Sequence, residues 1–222
     1  MEATAPNGDR SLQLGRGQAE SGWQDRRMVS STTTASWVRI ETWLAQLAPR
    51  TFAALAPPAD RSAIAAAEQA IGQPFPESLT ESLLRHDGTG HRGLLPPFWS
   101  LLDTAGGIVD AWETCTRINA DVFGDEEEGE PDGEDGPWWH PLWCPIAADG
   151  AANHLVIDQR QHRRTGRIGN ADHETGCSFE PQPMWTSFPA LLEATATALE
   201  TADVLDGCLP VVKQAELHWE VL

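Results

Sequence analysis

The stretch WWHPLWCPIAADGAANHLVID, Trp138 to Asp158, gathers three of the chain's ten tryptophans with His140, Cys144, Asp149, His154 and Asp158. Imidazole, thiolate and carboxylate groups are the ligands of zinc and the working groups of acid–base chemistry. A zinc site needs about four convergent ligands at defined spacing. His140, Cys144 and His154 form no recognisable zinc knuckle. Packing of a strand pair by Trp139, Trp143, Ile146, Leu155 and Ile157 accounts better for the window. Asp149 then reads as a turn former and Asp158 as a hydrogen-bonding strand end, neither as a catalytic acid.

The other reactive clusters give way to structure in the same manner. His162, His173 and Cys177 are loosely grouped, but HETGC is neither H-E-x-x-H nor a finger. His86, Asp87 and His91 in RHDGTGH coincide with a helix end marked by Gly88. There is no G-x-S-x-G and no P-loop. Cys115, Cys144, Cys177 and Cys208 lie far apart without C-x-x-C pairing, so buried free thiols are expected. No catalytic residue, no metal site and no cofactor follow from the motifs, and a metal-dependent hydrolase is the reading they support least.

Charge is the stronger signal. The formal net charge is −18, and nine acidic residues fall between Asp121 and Asp135, so one segment carries half of it. DEEEGEPDGEDG resembles a calcium loop in composition only, because no bidentate glutamate closes a D-x-[DN]-x-[DN]-G pattern. Gly, Pro and like charges at this density predict a solvated loop over 121–137. Its candidate partner-binding residues are Asp125, Glu126, Glu127, Glu128, Glu130, Asp132, Glu134 and Asp135. Such a surface repels nucleic acid, whose recognition needs a positive face, and favours a cationic protein. QRQHRRTGR, with Arg160, Arg163, Arg164 and Arg167, reads as a solvated basic turn able to pair with the acidic loop.

No run approaches the roughly 20 apolar residues of a membrane span, and the N-terminus lacks an apolar secretory core. A cytoplasmic protein without membrane partners is expected. Residues 1–35 are too polar to offset their ordering entropy and are expected to be a disordered tail, in which Met28 is a second candidate start. Residues 36–222 are long enough for one domain.

The elements that must position these residues follow from periodicity. Trp37, Ile40, Leu44 and Leu47 recur at helical spacing, with Trp43 also assigned to the core, and Pro49 closes that helix. Asp60 and Gly72 bracket a second helix, with Ile64, Ala67 and Ile71 inward. Pro76 opens a third, carrying Leu79 and Leu83. Asp103 caps a fourth, with Ile108, Trp112, Cys115 and Ile118 on one face. Trp143–Ile146 and His154–Ile157 predict a hairpin turned at Asp149-Gly150, followed by a strand near Arg167 and Ile168. A further helix buries Phe188, Leu191, Leu192 and Leu199. In KQAELHWEVL, Ala215, Leu217, Trp219 and Val221 alternate with polar residues as in a last strand. The sum is an α+β domain, an antiparallel sheet flanked by helices.

In order along the chain, Trp43-Leu44, PPAD to IGQPFP, LLRHDG, WWHPLWCPIAADG, HLVID, TGRIG and SFPALLEA resemble the SUKH superfamily. That superfamily groups fungal Smi/Knr-type cell-wall regulators with bacterial toxin-immunity proteins. The resemblance spans roughly Trp37 to Leu205 and rests on the collinear set, not on one motif. The chain departs in having Ala152 where relatives often carry Gly, and in the length of its acidic loop. The resemblance implies a non-catalytic binding module with no shared catalytic residues. Combined with the charge, it predicts an immunity protein that neutralises a cationic toxin domain, such as a nuclease or another nucleic-acid-directed enzyme. The alternative is an intracellular regulator or scaffold. The sequence does not indicate an oligomeric state.

Overall fold

The computed structural model describes residues 33–90, 93–101, 104–124, 133, 135–179 and 185–222. They form an α+β domain in the order α1 (33–47), α2 (Pro49–Ala54), α3 (Arg61–Ile71), α4 (Glu77–Leu83), β1 (Ser100–Leu101), α5 (Thr104–Ile118), β2 (Trp143–Ala148), β3 (His154–Asp158), β4 (Ile168–Asp172), β5 (Gly176–Ser178), α6 (Phe188–Thr201), β6 (Cys208–Lys213) and β7 (Glu216–Val221). Residues 1–32 lie outside the described residues. Residues 33–35, assigned from sequence to the tail, are already helical. Side chains from this turn reach across the fold: Thr34 donates to Glu81, and Ser36 Oγ donates to Glu193 Oε2 at 2.9 Å.

In α1, Trp37, Ile40 and Leu44 are buried, but Leu47 is exposed and Ala48 takes the next inward place, four residues after Leu44. Trp43 is only half-buried, because it lies one position off that stripe. Pro49 opens a new helix rather than merely ending the old one. It occupies the first turn of α2, where a missing N–H costs nothing. The α3 boundaries follow the sequence signals, with Asp60 at the N-cap and Gly72 at φ 80° closing the helix in the left-handed region. Arg39 joins α1 to α6 by ion pairs to Glu193 at 2.5 Å and Glu200 at 2.6 Å. Ser187 caps α6, its hydroxyl accepting from Ala190 N at 3.3 Å.

The main sheet is an antiparallel meander in the order β1-β2-β3-β4-β5. The β2–β3 hairpin turns where expected, with Gly150 at φ 82° and the Asp149 carboxylate accepting from Ala151 N at 2.7 Å and Asn153 N at 3.2 Å. Ala152 sits at φ 69°, the region that favours glycine. The pairing register shifts between Pro145 and Ala147, as it does where one strand carries an extra residue. The final strand predicted from sequence is the second arm of a separate hairpin, β6–β7. Gln214 and Ala215 turn it at φ 52° and 64°, so Ala215 belongs to the turn and not to the inward row, and Val221 is exposed. Leu217 and Trp219 do face inward. The hairpin is held to α2 through Arg50 N to Ala215 O at 3.0 Å and Leu217 N to Thr51 Oγ1 at 2.9 Å.

Because side chains alternate along a strand, β3 serves two cores. Leu155 and Ile157 join the main core with Cys144, Ile146, Ile168, Phe188 and the helical stripes. Val156 turns to the opposite face, where Trp139, Trp143, Ala171, Cys177 and Phe179 form a second cluster beside Cys115 of α5. Burial of each such aliphatic side chain stabilises the fold by roughly 1.5–3 kcal/mol. Trp112 packs between the clusters but is half-buried, its indole N–H donating to Pro141 O at 2.9 Å, so it is not a full core residue. All four cysteines are free and buried. Burial pushes the Cys115 thiol up to about 11 and raises Cys144 and Cys177 further.

Candidate partner-binding site

The second face of the sheet is where the acidic segment is rooted. Helix α5 continues through a π turn, Asn119–Phe123, which ends at Gly124 with φ 60°. Phe123 stacks on Trp138, ring centroids 4.6 Å apart and planes 14° from parallel. The two ends of the acidic segment are thereby drawn together. On the return side Gly136 N donates to Cys177 O at 2.8 Å, Cys177 N to Pro137 O at 3.3 Å, and Asp135 bridges Ser178, so the chain runs along β5. Gly136 lies over the buried Trp143 ring: a Cβ there would stand 2.8 Å from Cη2. Of the acidic candidates, Asp135 is exposed, while Asp125, Glu126, Glu127, Glu128, Glu130, Asp132 and Glu134 lie outside the described residues.

Beneath this root, the turn expected to be solvated holds a buried charge cluster. Asp158 is 0 % exposed, Arg160 5 % and Arg167 1 %. Asp158 Oδ1 accepts from Arg160 N at 3.1 Å and Nε at 3.0 Å. Its Oδ2 accepts from Arg160 Nη2 at 2.9 Å, His162 Nε2 at 3.0 Å and Arg167 Nε at 3.2 Å. Arg167 lies 3.7 Å over the Phe179 ring and its Nη1 donates to Gly133 O at 2.8 Å, gripping the acidic segment where it returns. Burial alone would push the Asp158 carboxyl up, but the hydrogen bonds and charge of Arg160, aided by His162, outweigh it and hold the group below the usual carboxylate range. Arg163 and Arg164 are exposed. Spacing alone could not tell them from the inward pair, because the turn geometry decides which arginine follows Asp158 into the sheet.

The metal candidates part company. Cys144 points to the main core, whereas His154 and Trp143 belong to the opposite face. His140 Nδ1 accepts from Leu142 N at 3.0 Å. His162 is engaged by Asp158, His173 by Asn153 Oδ1 at 2.8 Å, and Cys177 packs in the second cluster. His86 links Ala56 O at 2.7 Å to Glu41 Oε1 at 2.8 Å, tying α1 to the end of α4, while Asp87 N donates to Pro57 O at 2.9 Å. His91 lies outside the described residues. Among the described residues, no three His, Cys, Asp or Glu side chains converge as a metal set.

Next to the loop root, a pocket of about 90 Å³ opens between α5 and the β3–β4 face, lined by Cys115, Ile118, Trp138, Trp139, His154 and Ala171 among others. Trp139 Nε1 donates to Thr116 Oγ1 at 3.1 Å and Trp138 Nε1 to His173 O at 3.1 Å, which fixes both rings as walls. His154 Nδ1 is buried without a hydrogen-bond partner among the described residues. Burial lowers the tendency of this imidazole to charge, against the pull of the Ala147 backbone and Asp149. Asp172, at the pocket edge, accepts from Thr175 N at 2.8 Å and Glu174 N at 2.9 Å, bonds that hold its carboxyl below the usual range.

The second face of this α+β fold thus carries a pocket beside the root of the acidic segment. The chain belongs to the SMI1 / KNR4 family (SUKH-1), which it matches over residues 58–194. It is similar to the cell wall assembly regulator SMI1 of Saccharomyces cerevisiae, 25% identical over 165 residues that cover 58% of this chain and 33% of that protein. The chain thus spans about a third of that relative's length. Family membership supports a non-catalytic regulatory or immunity-type module that interacts with proteins. No helix among the described residues is long and apolar enough to cross a membrane.

Proposed function

We propose that this protein is an immunity-type binding module whose acidic segment steers and occludes a cationic toxin domain, such as a nuclease or another nucleic-acid-directed enzyme. One observation carries the reading: nine acidic residues lie between Asp121 and Asp135, on a segment whose ends are tethered at Phe123–Trp138 and at Gly133–Arg167. The charged stretch is joined to the domain on both sides, and clustered charge of one sign raises the encounter rate of an oppositely charged partner. An enzyme that binds polyanions presents such a positive cleft. No chemistry by the module itself is required.

The test replaces Asp125, Glu126, Glu127, Glu128, Glu130, Asp132, Glu134 and Asp135 with Ser and Gln. Association with toxin domains encoded beside the gene is followed by stopped flow at several salt concentrations. Wild type should associate roughly 10 to 1,000-fold faster at low salt and lose that advantage as salt rises, while the neutralised protein keeps its melting temperature and loses the salt slope. Equal rates and slopes would refute the steering role. The similarity to a cell wall assembly regulator favours a second reading, an intracellular regulator or scaffold. That reading prevails if no neighbouring gene encodes a domain that this protein binds.

A further inference from the structure

The acidic segment accounts for attraction but not for what the bound partner inserts. The pocket at its root has the dimensions and walls of an anchor site. Its volume is about 90 Å³, smaller than the roughly 150 Å³ apolar cavity that accommodates benzene. That space suits the end of one aliphatic side chain. The walls are mostly apolar or aromatic, with the imidazole of His154 among them. Burial disfavours charging of this imidazole, so it adds little repulsion toward a cation. Around the mouth, Asp121 follows Ile118 by about one helical turn, Asp172 lines the edge and Glu174 is exposed beside His173. Arg117, on the same helix, is paired with Asp121 at 3.8 Å. The excess of carboxylates selects for positive charge beside the inserted group.

Resting on the proposed function, we propose that this pocket receives a single Leu, Ile or Met side chain from a basic segment of the protein partner. The aliphatic chain fills the space between α5 and the β3–β4 face while its Lys or Arg neighbours meet the carboxylates of the rim. Interface energy concentrates in such central buried anchors, with the charged surround setting rate and register.

The probes are three short peptides: a Lys/Arg-rich peptide with one central Leu, the same peptide with Ala at that place, and a Gln-substituted uncharged peptide that keeps the Leu. Binding is read by fluorescence anisotropy on the full chain, and the contact is located by nuclear magnetic resonance shifts of the Trp138 and Trp139 indole N–H groups. On wild type the basic Leu peptide should bind about ten-fold tighter than its Ala counterpart and shift both indoles. Thr114 is exposed at the pocket mouth, so Thr114→Trp should close the pocket and abolish the Leu preference without altering the melting temperature. Neutralising the acidic segment should weaken both basic peptides alike and spare the Leu preference. Equal binding of the Leu and Ala peptides with salt dependence retained would overturn the pocket inference and leave the steering role intact. Affinities of both basic peptides left unchanged by neutralisation, with the Leu preference retained, would overturn the steering role and leave the pocket. No binding of any peptide, or self-association that Thr114→Trp abolishes, would overturn the inference, the latter in favour of a second copy of this chain as occupant.

Discussion

Asp158→Asn isolates the buried charge cluster that holds the acidic segment to the fold. The substitution keeps size and shape but removes the charge that neutralises Arg160 and Arg167, 5 % and 1 % exposed. It also replaces one accepting oxygen by an NH₂ that must face a guanidinium or the His162 ring N–H, since Asp158 accepts on both oxygens. Breaking a buried ion pair by removing one partner costs about 3–5 kcal/mol, because the surviving charge remains desolvated. In a domain of this size each kcal/mol shifts the melting temperature by about 2–4 °C, so a loss of about 6–20 °C is expected at pH 7. The pH dependence supplies a second readout. The folded-state carboxyl is held below its ordinary value, so its stabilisation is complete above an unfolded pKa of about 3.9 and is lost as pH falls through the lower folded value. The variant should therefore lose stability at pH 7 and show a flatter acid limb. Chemical denaturation at pH 7 and at a series of acid pH values measures both. A variant as stable as wild type at pH 7, with an unchanged acid limb, would refute the claim that this carboxylate is the counter-ion of the buried arginines.

Trp143 is 0 % exposed and packs edge-on against Trp139 and Phe179 at 5.9 and 5.8 Å. Trp143→Ala should cost about 3–5 kcal/mol, and an unchanged melting temperature would contradict its place in the second cluster. At Gly169 an added Cβ would stand 2.5 Å from Phe179 Cε1. Gly169→Ala should therefore destabilise by about 1–3 kcal/mol and disturb the Arg167–Phe179 stack, as thermal melts and aromatic circular dichroism would register. Dialysis against a strong chelator should leave far-ultraviolet circular dichroism unchanged, whereas loss of structure that zinc restores would show that His140, Cys144, His173 or Cys177 holds a metal.

Local signals were enough for some elements and not for others. The α3 boundaries, the Asp149-Gly150 turn and the inward stripes of α4 and α6 were legible because caps, glycines and periodicity act within a few residues. The β6–β7 turn was not, since Gln214 and Ala215 adopt positive φ without the Asn or Gly that ordinarily announces such a turn. The short strands β1 and β5 carry too few residues for any period. Leu47 was misplaced because positions three and four residues after Leu44 both fit a helical period and packing buries Ala48 instead, while the strand period runs on to Val221, which is exposed.

The same division runs through the site. The sequence by itself determined the charge of the acidic segment and the α+β order of elements, because these depend on residue type and near-neighbour spacing. Only the tertiary structure decided that Arg160 and Arg167 turn inward to Asp158 while Arg163 and Arg164 stay in water. It also decided that Cys144 and His154, both candidates for one metal, face opposite sides of the sheet, and that Cys115, Trp138 and His154 enclose a common pocket. Those facts depend on which strand lies beside which helix. Some of these contacts join residues tens of positions apart, as with Cys115 and His154, and even between near neighbours such as Asp158 and Arg160 the energies come from burial and desolvation that no local window of sequence contains.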